Sequence, residues 1–369
     1  MLGSIYHKIK TILFKLPVFY FNLPKKNSLV IFDDLNSQNI KSSISYKNTY
    51  EIKFRNNRIN FFALIYALIF FFKSNLKIEY INFFIKRSKI NILVTSNFNR
   101  LIIYQIKKYY PNVKVIVIQN GIIGNEFISK IKNSYYKNLS CDYFFCFTKL
   151  ESEKIKNLIE TEFVVLGSIR NNLYEINKNN KKKQILFISQ YRDGLINNPL
   201  FRPLYKTEEL LLPVVFDFCK KKNLELAILP GDENENKQMD YYKKLLKNGN
   251  FLLYSRDLKK TYQRVDDSLF SINIDSALGY ESLSRNNKVG FFNFFDFSEM
   301  SFLSRSFYKK DGSFYLGFYD KEKINNILEY LYSVDDATWE NQNFGEFNSI
   351  PFNINNLKLK KILENFLKN

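Results

Sequence analysis

Short runs of consecutive β-branched and aromatic residues recur along this chain, with longer amphipathic stretches between them. This alternation constrains the fold more than any other feature. Ser28 to Phe32 (SLVIF), Ile90 to Val94 (INILV), Val113 to Ile118 (VKVIVI), Asp142 to Phe147 (DYFFCF) and Phe163 to Leu166 carry few polar positions. Such runs suit strands buried on both faces, as in a parallel sheet covered by helices. Helices are expected over Asn60 to Phe72, Asn99 to Tyr109 and Lys149 to Leu158, with Pro111 stopping the second.

The pattern changes at Asn171 to Lys183, a polar and basic stretch with little core material, which reads as a linker. A second series then starts. Strands are expected at Gln184 to Ile188, Leu224 to Leu229, Phe251 to Tyr254, Leu269 to Ile274 and Lys288 to Phe292. Helices are expected at Glu208 to Lys221, Glu235 to Lys247, Lys259 to Val265 and Gly279 to Arg285, then Lys321 to Tyr332 and Asn355 to Leu367. Repeated strand–helix–strand units imply parallel sheets with right-handed crossovers. The expected class is therefore α/β: two Rossmann-like domains, residues 1–175 and 184–345, followed by a C-terminal helix in 346–369, with the two sheets facing across a cleft. A chain of 369 residues is consistent with two domains at roughly 150 residues each.

Composition removes several chemistries. The only histidine is His7, so Ser-His-Asp and Cys-His catalysis are excluded and no metal site is expected. The three cysteines, Cys141, Cys146 and Cys219, form no disulfide framework, which fits a reducing cytoplasm. The formal charge of +19 has three readings. One is an AT-rich coding bias towards lysine. Another is attraction to an anionic inner membrane or an anionic substrate. Nucleic-acid binding is not expected, because the basic residues form no arm or motif. The apolar run Phe61 to Phe72 is about 12 residues, short of the roughly 20 that span a bilayer. It reads as a buried helix, with an interfacial helix as the alternative.

In open α/β sheets, ligands bind beyond the carboxyl ends of the strands, so the residues just after each strand are the site candidates. Asp275 ends a strand, Ser276 can cap the next helix, and that helix carries Gly279, Tyr280 and Glu281. A helix N-terminus suits a phosphate; the same pattern is also that of an ordinary capped crossover helix. Ser189, Gln190 and Arg192 follow another strand, and arginine suits bidentate phosphate binding. Gly231, Asp232 and Glu235 follow a third. In the first domain, Gln119, Asn120 and Gly121 follow a strand, Gly121 being a candidate for positive φ or close ligand approach. Asp33 and Asp34 end the first strand, where a carboxylate can act as a general base or cap a helix. Glu126 is a second candidate base, and Ser168 lies at a candidate hinge.

The ordered set QNG, GS, FISQYR, PGDENE and DSALGYESLSRNNKVGFF resembles the bacterial surface-carbohydrate and O-antigen biosynthesis transferases of GT-B type, over roughly Lys114 to Phe292. The resemblance implies a nucleotide-sugar donor held by the second domain, with donor contacts at Ser189, Gln190, Ser276, Gly279, Tyr280 and Glu281, and an acceptor on the first. It departs at Asn120, where such transferases often carry histidine.

The expectation is a metal-independent, cytoplasmic glycosyltransferase without a cofactor, peripheral at the inner membrane in one version. It moves a sugar from a nucleotide-sugar, with a CMP-linked acidic sugar as one candidate. The acceptor is a hydroxyl of a growing surface glycan, free or lipid-linked. The alternatives are a non-catalytic, transferase-like scaffold of polysaccharide assembly and a polyol-phosphate transferase.

Overall fold

The computed structural model describes residues 17–33, 37–44, 46–53, 57–199, 201–231, 235–255, 257–294, 311–341 and 351–368. Chain contacts divide them into two compact units. The first takes the described residues up to Asn120, Lys130–Leu173 and those from Asn355 on; the second takes Gly121–Ser129 and Tyr174–Ile354.

In the first unit a short parallel pair, β1 (Val18–Tyr20) and β4 (Arg58–Asn60), stands apart from the main sheet. That sheet contains β2 (Leu29–Phe32), β3 (Thr49–Ile52), β5 (Ile92–Thr95), β6 (Lys114–Ile118), β7 (Ser140–Cys146) and β8 (Glu160–Val165). Its order is β3-β2-β5-β6-β7-β8, parallel throughout. The chain leaves β2 in one direction for β3 and crosses to the other side for β5, which makes the β2/β5 boundary a switch point. β2 and β5 are buried along their whole length, as the apolar runs require.

The last helix, Leu357–Lys368, packs on this sheet. Leu359 and Leu363 join Leu29, Ile31, Val94, Ile116 and Ile118 in one buried cluster. The turn leading into it is anchored by buried amides: Asn172 Nδ2 donates to Asn356 Oδ1 at 2.9 Å, and Asn356 Nδ2 donates to Ser43 Oγ at 2.8 Å.

The second unit has a six-stranded sheet of β9 (Gln184–Ile188), β10 (Glu225–Leu229), β11 (Leu252–Leu253), β12 (Phe270–Asn273), β13 (Val289–Phe292) and β14 (Tyr315–Leu316). The order β11-β10-β9-β12-β13-β14 is parallel throughout. Counted from β9 this is 3-2-1-4-5-6, the doubly wound dinucleotide-binding order, with its switch point between β9 and β12. The long helix Arg202–Lys222 crosses from β9 to β10 and ends on Asn223 in the left-handed conformation.

Two expectations change. The stretch read as a linker is tied to the second unit from Tyr174 on. Arg285 donates to the carbonyls of Tyr174 (2.9 Å) and Glu175 (2.8 Å), and the Asn177 N–H donates to Asp266 at 3.1 Å. Polar composition there reflects hydrogen bonding rather than freedom. The apolar helix is observed as Phe61–Phe70, but only Ala63 and Ala67 are buried along it. Phe61, Phe62, Ile65, Leu68 and Ile69 are exposed, so the expectation of a buried helix fails. Among the described residues no single helix is long and apolar enough to cross a membrane.

Candidate functional site

Strand register sets the candidate site of the second unit. Ile188 pairs with Leu229 on one side and Asn273 on the other. The residues after β9, β10 and β12 therefore share one edge at the switch point.

The turn after β9 is built on a buried carboxylate. Ser189 Oγ accepts the Tyr191 N–H at 2.9 Å and donates to Glu208 Oε1 at 3.2 Å; it also meets the Tyr242 hydroxyl in a short contact. Glu208 Oε2 accepts the Gln190 N–H at 2.8 Å, and the Tyr242 hydroxyl donates to Oε1 at 3.0 Å. Burial pushes the Glu208 carboxyl up to about 7, against the opposing pull of these hydrogen bonds. Tyr191 stacks on Tyr241 with ring centroids 4.2 Å apart. The loop after β10 presses onto this turn, since a Cβ at Gly231 would lie 2.7 Å from the Tyr191 carbonyl oxygen. Only glycine permits that approach. Ser189 is thus buried and holds the turn, while Gln190 is half-buried and Arg192 exposed.

The turn after β12 is built on Asn273. Its Oδ1 accepts the Ser276 N–H at 3.2 Å, and its Nδ2 is buried without a hydrogen-bond partner. Ser276 Oγ caps the helix Ala277–Ser284 by accepting the Leu278 N–H at 3.3 Å. Ser276 is half-buried; Asp275, Gly279, Tyr280 and Glu281 are buried. Glu281 Oε2 accepts from the Tyr262 hydroxyl at 2.7 Å, and Tyr280 packs its ring 4.9 Å from that of Phe291. Of the residues expected to meet a donor, Gln190, Arg192, Gly231 and Ser276 reach the surface of this edge. Asp232 lies outside the described residues. Glu235 begins the helix Glu235–Leu245, its side chain also outside the description.

The first unit has a second candidate site beside its own switch point. Phe32 ends β2, and Asn99 to Ile102 follow β5. Together with Lys77, Ile81, Lys130 and Tyr136 they line a cavity of about 590 Å³. Its lining brings three cations, Lys77, Arg100 and Lys130, together with no carboxylate, which suits an anionic group. Asp33 lies next in sequence to Phe32 but is buried with φ 67°, and its Oδ2 accepts from Asn97 Nδ2 at 2.5 Å. Asp34 lies outside the described residues. Glu126, expected on the first domain, falls in the second unit, exposed on the helix Asn125–Lys132.

Gln119 is fully engaged within the unit. Its Nε2 donates to buried Glu151 at 2.6 Å and its Oε1 accepts the Phe147 N–H at 2.7 Å. Asn120 and Gly121 are half-buried. Gly121 lacks positive φ, and a Cβ there would meet nothing within 4 Å; among described glycines the positive φ belongs to Gly167, at 78°. Ser168 is buried, and its hydroxyl accepts the Asn171 N–H at 3.4 Å. Among the described residues no group of three or more His, Cys, Asp or Glu side chains forms a metal-binding set.

Sequence reading missed Glu208, Asn273 and the three cations. Glu208 had a signal: it precedes Leu211 and Leu212 by three and four residues, on the core face of its helix. The cations had none, being drawn from distant segments.

A family model described as "putative O-antigen biosynthesis protein" matches residues 116–367. No curated protein matches the sequence. Among solved structures, the UDP-GlcNAc 2-epimerase of Neisseria meningitidis bound to UDP-GlcNAc is similar at TM-score 0.57 and 12% identity, covering 93% of this chain and 100% of that one. The S. aureus MnaA–UDP structure is similar at TM-score 0.52 and 13% identity, covering 93% and 97%. The Methanocaldococcus jannaschii UDP-GlcNAc 2-epimerase, in complex with UDP-GlcNAc and UDP, is similar at 0.50 and 14%, covering 92% and 99%. At such identities the likeness is one of fold: the expected α/β, GT-B-type class, with two parallel sheets in separate units, is the one observed.

Proposed function

The chain belongs to this family of O-antigen biosynthesis proteins, and we propose that it is a glycosyltransferase which moves a sugar from a nucleotide-sugar to a hydroxyl of a growing surface glycan. The observation that carries the reading is the β9/β12 switch point. There a glycine-permitted turn, the exposed Arg192 and the capped helix at Ser276 share one edge.

In the reaction the bond from the anomeric carbon to the donor phosphate breaks, and a bond from that carbon to the acceptor oxygen forms. The acceptor hydroxyl loses its proton, and the nucleotide leaves with the extra negative charge. Arg192 and the N-terminal end of the helix Ala277–Ser284 oppose that charge. Asp33 and Glu126 remain the candidate bases, with Asp33 oriented by Asn97. The cation-lined cavity of the first unit suits an acceptor bearing an anionic group, such as a phosphate-linked glycan. The UDP-GlcNAc bound by the N. meningitidis epimerase supports a nucleotide-sugar as the donor class.

A second reading is epimerisation of the nucleotide-sugar itself, favoured by the coverage of nearly the whole length of the epimerases. One experiment separates the two. The protein is incubated with UDP-, GDP-, CDP- and CMP-linked sugars, with and without lipid-linked glycan acceptors, and products are followed by mass spectrometry. Nucleotide release that requires acceptor, with an acceptor mass gain of one sugar, is the expected result. An isomerised nucleotide-sugar formed without acceptor would replace transfer by epimerisation. Binding without turnover would make the protein a scaffold.

A further inference from the structure

The helix Phe61–Phe70 reverses the usual order of a surface helix. Its small residues, Ala63 and Ala67, are buried, Leu64, Tyr66 and Phe70 are half-buried, and Phe61, Phe62, Ile65, Leu68 and Ile69 are exposed. Leu68 is 54% exposed, Ile69 56% and Phe72, in the turn that follows, 70%. The face extends onto the strand pair, where the Phe21 ring lies 5.6 Å from that of Phe61 and 6.0 Å from that of Phe62. A contiguous apolar face of this kind marks a binding surface.

The geometry points to an anionic phospholipid bilayer as its occupant, with this helix lying in the headgroup region. Charge argues for it first. No Asp or Glu occurs from residue 52 to 78, and exposed Arg58, Lys73 and Lys77 border the apolar face. The Lys73 ammonium sits 4.8 Å from the Phe70 ring centre, with its stem along the apolar surface. Basic side chains beside exposed aromatic and aliphatic residues are the composition of an interfacial helix.

Length argues the same way. Ten residues of helix reach about 15 Å, half the roughly 30 Å of a hydrocarbon core. Together with Leu76–Ser88 the segment has the length and apolar composition of a bent span, but that helix turns away by 119° and buries Ile78, Tyr80, Ile81, Phe84 and Ile85 within the fold, which takes its apolar side chains from the membrane. The segment lies on a bilayer rather than crossing it. A second copy of the chain fits poorly, because a two-fold contact through this face brings two basic borders together. On the glycosyl-transfer reading the surface has a further use: Lys77, next to the exposed Leu76, also lines the cation-lined cavity, which would meet lipid-linked phosphate at headgroup level.

Flotation of the full-length protein with liposomes tests the inference without using turnover. Neutral phosphatidylcholine vesicles are compared with vesicles containing added phosphatidylglycerol. Wild type is expected to float with the anionic vesicles, and less so as salt rises. The variant Ile69→Glu/Phe72→Glu is expected to lose about tenfold or more of that partition, with an unchanged circular-dichroism spectrum. Phe72→Leu, which keeps the apolar face, is expected to float like wild type. Three results would overturn the inference: wild type that stays with the protein fraction, a double-glutamate variant that floats as well as wild type, or a wild-type dimer by light scattering that the same substitutions dissolve. None of these bears on whether the second unit binds a nucleotide, so the two readings fail separately.

Discussion

Asn273 occupies the space that a side chain at Gly279 would need: a Cβ there would sit 2.2 Å from Asn273 Cγ and 2.4 Å from its Nδ2. The helix Ala277–Ser284 approaches β12 this closely because residue 279 has no side chain, and the approach sets the Ser276 cap against the Asn273 amide. Gly279→Ala is therefore expected to cost about 1–3 kcal/mol by overpacking. Thermal melts of Gly279→Ala and of Gly279→Ala/Asn273→Ala check it. The second substitution should recover part of the loss by removing the clash; equal stability of Gly279→Ala and wild type would contradict the packing.

Glu208 gives a pH signature. Its carboxyl is raised from 4.5 to about 7 by burial. A raised acid favours the folded state most when protonated. The associated stability is fully present below about pH 4.5 and is lost as pH rises through about 7, a difference on the order of 3 kcal/mol. Glu208→Gln cannot titrate, so the difference between its melting temperature and that of wild type should shift in favour of the variant between those pH values. A pH-independent difference would show that the carboxyl is not perturbed.

Arg285 and Asp266 form a buried ion pair, with Nε donating to Oδ1 at 2.9 Å, and the same guanidinium holds the carbonyls of Tyr174 and Glu175. Removing one partner leaves the other charge uncompensated, at about 3–5 kcal/mol. Arg285→Met is expected to lower the melting temperature and to open residues 174–183 to limited proteolysis. Unchanged cleavage in that segment would show that the tether lies elsewhere.

The two sheets were legible because strands buried on both faces are mostly apolar: β2 is apolar throughout, and β5, β6 and β9 each carry one polar residue, at an end. β3 (TYEI) and β4 (RIN) were not, because polar residues interrupt them, and β1 and β14 are only three and two residues long. The site was legible only by position. A polar residue after a strand looks the same whether it meets a ligand or its own core: Gln119 turned out to bind Glu151, and Glu281 to bind Tyr262. The helix Phe61–Phe70 misled for a related reason, since an apolar helix in a core and one in a lipid surface have the same composition.

The central claim is that a nucleotide binds at the edge shared by β9, β10 and β12. Isothermal titration of UDP, GDP, CDP and CMP into wild type, Arg192→Ala and Gly231→Val tests it most directly. We expect one of these nucleotides to bind wild type with one site per chain. Arg192→Ala should weaken it about tenfold through loss of a charge-assisted phosphate contact. Gly231→Val should abolish it by displacing the Tyr191 carbonyl that a Cβ would meet at 2.7 Å. Equal affinity in all three proteins, or no binding by wild type, would contradict the account.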